Sequence, residues 1–248
     1  MVKGLDTFQK YFKDYEEQYV LIGGAACDIL FESNEVNFRA TRDLDMVLIV
    51  EALTPEFGEK FWKFIVDGKY RNKATNGSNP QFYRFDKPED DEFPKMIELF
   101  CRSDFKLKNA KGITPIHIDD EVSSLSAILL NDDYYKALLN GKEVRKGLSV
   151  LRPEYIILFK AKAYLDLKRQ KGLGKKVDSS DIKKHKKDVL RIASELMLEK
   201  VEELPIAVDA DIHSFIDLLE QEPFDQHSLK RYGLKNEDVV ELLKQVFG

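Results

Sequence analysis

An α/β (α+β) fold, with a mixed-sheet domain over residues 1–150 and a helical domain over residues 151–248, is predicted from three features of the chain. Short apolar runs of strand length alternate with helical segments up to about Leu151. From Arg152 onward, apolar residues recur at helical spacing. Between the first strand and the helix after it stands nothing but Gly23-Gly24.

Taken in order, Phe8, Tyr11, Phe12 and Tyr15 share one helical face, so a first helix is expected from about Asp6 to Glu17. Tyr19 to Ile22 reads as a strand, Gly23-Gly24 as a turn, and Ala25 to Phe31 as a helix. "LDMVLIV" is a second strand. "TPEFGEKFWKFIVDG" is a helix, with Thr54 as its N-cap and Pro55 at its first position. "FYRFDKPEDDEFPKMIELFCR" reads as two strands around an acidic, proline-bounded turn. "AKGITPIHI" and the segment after it read as short β runs, with a hairpin at "LNGKEV". "PEYIILFKAKAYLDLKRQ" opens the helical half, and the exposed loop "KGLGKK" separates it from "DIKKHKKDVLRIASELMLE". Two more helices are expected in "DADIHSFIDLLEQ" and "NEDVVELLKQVF".

The 248 residues are 43% hydrophobic and 33% charged, an ordinary globular balance with material for a real core. No apolar run approaches the roughly 20 residues that span a bilayer. The first residues lack the apolar stretch of a signal peptide. Cys27 and Cys101 have no metal-binding spacing and read as reduced core residues, so a cytoplasmic location is expected. The four histidines are scattered. Net charge is −5, yet Lys142 to Lys187 holds 15 Lys or Arg against 5 Asp or Glu. That stretch is either a solvated helical face or a surface that meets phosphates.

The candidate chemistry begins at "FRATRDLDMVLIV". In a strand Asp43 and Asp45 point to one face and Leu44 and Met46 to the other. Two carboxylates held that close repel each other, and a cation between them or solvent at the strand end relieves the repulsion. Mg²⁺ suits such a pair, because it takes few protein carboxylates and keeps positions for water and phosphate oxygens. Glu98, the acid inside the apolar strand "MIELF", is the candidate third ligand, since its burial carries a desolvation cost. Gly23 and Gly24 either close an ordinary tight turn or let a triphosphate approach backbone N–H groups at a helix start. "KGLGKK" lacks the spacing of a phosphate loop.

Together "GGAACDIL" and "FRATRDLDMVL" resemble the signature of the nucleotidyltransferase superfamily, the polymerase-β-like fold. Arg39, Thr41, Asp43, Leu44 and Asp45 are similar, more narrowly, to the R-x-T-x-D-hydrophobic-D pattern of AbiEii-type nucleotidyltransferases, toxins of abortive-infection toxin–antitoxin pairs. Glu98 matches the family's third carboxylate, Lys160 its helical lysine, and Lys187-Asp188 its later Lys-Asp pair. The likeness runs from about Tyr19 to Ile192. Gly-Gly-Ala stands where many members have Gly-Ser, and Glu98 where Asp is commoner.

The resemblance implies a mixed-sheet nucleotidyltransferase domain followed by a helical domain. It also implies transfer of a nucleotide from an NTP to an acceptor such as a tRNA end or a protein hydroxyl. Asp43, Asp45 and Glu98 would hold two Mg²⁺ ions, and Glu98 would accept the hydroxyl proton. Gly23, Gly24, Arg39 and Thr41 would line the nucleotide site. Lys160 and Lys187 would neutralise the departing pyrophosphate, with Asp188 beside them. The plainer readings are a snorkelling helix residue for Lys160, a solvated charge run for Lys187, and a lysine partner for Asp188. The expected partners are an NTP, an RNA acceptor and an antitoxin protein, with no membrane. Two alternatives share the signature: an antibiotic nucleotidyltransferase of the aminoglycoside or lincosamide type, and a nucleotide-binding module without turnover.

Overall fold

The computed structural model describes residues 2–33, 43–72, 82–100, 128 and 131–248. Two compact units emerge, and neither is one continuous piece of chain. The first comprises Met1–Asp119 with Lys142–Leu151, the second Asp120–Gly141 with Arg152–Gly248. Strands gather in the first and helices dominate the second, the mixed α/β layout expected from the sequence.

In the sheet unit the elements are α1 (Leu5–Phe12), β1 (Tyr19–Ile22), α2 (Gly23–Ser33), β2 (Asp43–Leu48), α3 (Pro55–Asp67), β3 (Arg71–Asn72), β4 (Phe82–Asp86), β5 (Met96–Phe100), β6 (Lys142–Arg145) and β7 (Leu148–Leu151). Among the described residues the strands run in the order β3-β4-β5-β2-β1-β7-β6. β2 lies antiparallel to β1 and parallel to β5, while β1 lies parallel to β7. The first helix stops at Phe12, short of the expected Glu17, and a 3-10 turn at Glu16–Gln18 leads into β1. Thr54 caps α3 by accepting a hydrogen bond from the Phe57 N–H, and Pro55 follows at the first position, as expected.

One face of this sheet is covered by aromatic side chains. Phe8 meets Tyr19 edge to face at 5.5 Å, and Phe61 meets Phe85 at 5.6 Å. Leu44, Met46, Ile97 and Leu99 are fully buried, and register pairs Leu44 with Ile97 and Met46 with Leu99. Strand alternation then sends Asp43, Asp45 and Glu98 to the other face. Packing α1 and α3 on the apolar side is therefore what places the acids together.

The hairpin expected at "LNGKEV" sits elsewhere. Asp132–Asn140 is a helix, α4, capped by Asn131, whose side chain accepts from the Asp133 and Tyr134 N–H groups. Gly141 closes it, donating its N–H to Ala137. The β6–β7 turn is instead Lys146-Gly147, with φ of 51° and 68°. Two successive positive φ values make the turn whose twist suits a two-residue hairpin.

In the helical unit α4 is joined by α5 (Pro153–Gly172), α6 (Ser179–Glu195), α7 (Ile206–Gln221), α8 (Gln226–Tyr232) and α9 (Asn236–Phe247). α5 starts on Pro153 as expected and runs two residues beyond the expected Gln170. Asp178 caps α6 by accepting from the Ser180 N–H. Val189, Leu190, Ile192 and Ala193 form its buried stripe, and α8 is a short helix the periodicity did not announce. Among the described residues no helix is long and apolar enough to cross a membrane.

Candidate active site

β1 ends at Ile22 and α2 begins at Gly23, so one residue makes the whole strand-to-helix junction. Gly23 has φ of +61°, a conformation L side chains adopt at a cost of roughly 1–2 kcal/mol. A Cβ built there would also overlap Asp45 Oδ2. Glycine is thus required twice, once by the backbone and once by the carboxylate seated on it. An anion at the first residue of a helix is favoured by the positive end of the helix dipole. The cost of half-burying Asp45 is partly met in this way.

Register builds a row across four strands: Ile22 on β1, Asp45 on β2, Glu98 on β5 and Arg84 on β4. Asp43 stands one pleat further along β2, paired with Met96. Asp43 and Asp45 are half-buried, and Glu98 is 8% exposed. The side chain compensating Glu98 is Arg84, a residue the sequence reading did not single out. Arg84 donates from Nε to Glu98 Oε1 at 2.8 Å, and its Nη2 lies 2.6 Å from the same oxygen. The desolvation cost that pointed to a metal at Glu98 is therefore offset by a guanidinium. A signal was present: "FYRFD" alternates, with Arg84 flanked by apolar residues, so a strand pairing with "MIELF" brings a cation within reach.

Replacing Arg84 while keeping Glu98 leaves a carboxylate deprived of its cation in a mostly buried place. Arg84→Met is expected to lower stability by about 2 kcal/mol, less than for a fully buried pair because Arg84 is partly exposed. Adding Glu98→Gln should return most of that loss, as read from urea midpoints of the single and double variants. An unchanged midpoint in Arg84→Met would show that the pair contributes nothing to the fold.

In the helical unit, Lys160 of α5 and Asp188 of α6 form an ion pair of 2.9 Å. Their side chains are only 11% and 7% exposed. The plainer reading of Asp188, as a lysine's partner, is the arrangement found, and Lys160 is engaged with it. Lys187 is exposed and lines a cavity with Lys183 and Lys186. Gly24 follows Gly23 in the first turn of α2. Arg39 and Thr41 lie outside the described residues, as does Cys101, while Cys27 is buried.

Among the described residues no group of three or more His, Cys, Asp or Glu side chains is arranged to hold a metal ion. Two carboxylates that could hold a metal are Asp43 and Asp45, both half-buried on β2. Mg²⁺ commonly takes one or two carboxylates and completes its shell with water and phosphate oxygens, so a pair suffices. No protein-family model matches the chain, and no curated protein matches it at a significant level.

Proposed function

We propose that this protein is a Mg²⁺-dependent nucleotidyltransferase, moving a nucleotide from an NTP to an acceptor such as RNA or a protein hydroxyl. It would act in the manner of an AbiEii-type toxin with a cognate antitoxin. The observation that carries the reading is the β1–α2 junction. A carboxylate lies on the glycine that opens a helix, and a second carboxylate stands on the same face of the neighbouring strand. Asp43 and Asp45 are the residues that would hold Mg²⁺, which when bound offsets triphosphate charge and favours an ionised acceptor hydroxyl. Gly23 and Gly24, in the first turn of α2, would offer phosphate oxygens backbone N–H groups with no side chain in the way. Glu98 would contribute through Oε2, since Arg84 holds Oε1.

The test is transfer of label from each of the four NTPs to total cellular RNA and protein. Label should appear with Mg²⁺, vanish with EDTA and return when Mg²⁺ is restored. One observation favours a second reading, a nucleotide-binding module without turnover: Glu98 already has a structural partner in Arg84. Equal NTP binding with and without Mg²⁺, combined with no transfer of label, would establish that second reading over the first.

A further inference from the structure

The helical unit holds a cavity of about 520 Å³, within the range of ligand-sized pockets. Five lysines line it, Lys168 and Lys171 from the end of α5 and Lys183, Lys186 and Lys187 from α6. Against them stand two carboxylates, Glu222 and Asp225, and both are engaged locally. Glu222 accepts from Lys168 Nζ at 2.5 Å and from the Tyr164 hydroxyl at 3.3 Å. Lys168 holds the Glu222 carboxyl below its ordinary range. Asp225 caps α8, accepting from the Ser228 N–H and hydroxyl.

Lys186 occupies the most demanding position. Its ammonium donates to the carbonyl oxygens of Glu222 and Pro223 and lies over the rings of Tyr164 and Phe224, at 5.8 and 5.4 Å. These are neutral partners, and burial pulls the Lys186 ammonium below its ordinary pKa. Five ammonium groups around one cavity repel each other, and the two lining carboxylates together with Asp178, which faces Lys171, still leave an excess of positive charge. Lys171 and Lys183 are exposed at its edge.

We propose that this cavity is a phosphate-binding pocket, whose ligand is a polyphosphate or phosphodiester anion carrying more than one negative charge. Lysine is a compact point charge on a flexible stem with three donors, and it binds phosphate oxygens as a point charge. A net excess of more than one positive charge calls for a polyanion, and a singly charged carboxylate would leave part of it unmet. The same chemistry is offered by a free nucleotide and by a strand of RNA. The inference does not depend on Asp43, Asp45 or Gly23, and it shares only Lys187 with the residues that the nucleotidyl-transfer resemblance implies.

The experiment uses the full chain in EDTA with two probes, a fluorescein-labelled 12-nucleotide single-stranded RNA followed by anisotropy and pyrophosphate followed by calorimetry. The test variant is the exposed pair Lys171→Gln/Lys183→Gln, and the control is the equally exposed pair Lys200→Gln/Lys230→Gln outside the cavity. The test pair should weaken binding about tenfold and the control pair less than twofold. For RNA, the log–log salt dependence should fall by about 1.4, at roughly 0.7 per lost contact on a single strand. Loss confined to RNA assigns a strand, and loss confined to pyrophosphate assigns free phosphates; both support the pocket. Equal loss in the two variant pairs, or no binding of either probe by the wild type, overturns it.

Discussion

Asp45→Asn is expected to lower Mg²⁺-dependent nucleotidyl transfer at least about a thousandfold, about 4 kcal/mol of transition-state stabilisation, if Asp45 holds the metal. The fold should survive the change. Asparagine keeps the shape of the side chain seated on Gly23, and weakening the attraction between a carboxylate and a helix start costs about 0.3–1 kcal/mol. Single-turnover transfer of labelled NTP, measured beside the urea midpoint, separates the two effects. A large fall in transfer with a small shift in midpoint marks a chemical role. Transfer at the wild-type rate would remove Asp45 from the metal site and with it the main support for the enzymatic reading.

Lys160→Met should be the most destabilising of the single changes considered, at about 3–4 kcal/mol in urea unfolding. Both partners of the Lys160–Asp188 pair are almost wholly shielded from water, and methionine fills the lysine stem without supplying a charge. Asp188 is then left ionised in a low-dielectric place without the ammonium 2.9 Å away. Replacing both, in Lys160→Met/Asp188→Leu, should restore most of the loss, because two apolar groups of similar size fill the site without a desolvation cost. A cost below about 1 kcal/mol for the single variant would class the pair with exposed ion pairs, whose net contribution is small.

What the residues disclosed before the fold was known was local. Tyr19 to Phe31 reads as strand, glycine and helix because each signal lies within a few positions of its effect. Thr54-Pro55 announces a helix start for the same reason. The spacing of Asp43 and Asp45 placed them on one face directly. Partners distant in sequence were less legible. Arg84 reaches Glu98 only once β4 and β5 are aligned, 14 residues apart along the chain. Lys160 meets Asp188 only when α5 packs on α6. α4 was missed because Asn140-Gly141 carries a strong hairpin signature, and the same dipeptide also closes a helix. Lys146-Gly147, with a lysine at positive φ, is the less obvious turn and the one used. The metal inference at Glu98 started from a buried acid that needs compensation, and the compensation the fold supplies at Oε1 is Arg84.

The returning hairpin has a consequence for biogenesis. β7 pairs with β1 through Leu21 and Val150, so that side of β1 has no neighbour until some 130 residues later have been made. At a synthesis rate of about 5–20 residues per second, β1 waits roughly 6–26 seconds with one row of backbone groups unmatched. Such an edge invites pairing with any other extended segment. During translation that edge of the sheet unit stays open to mispairing until β7, made after α4, closes it.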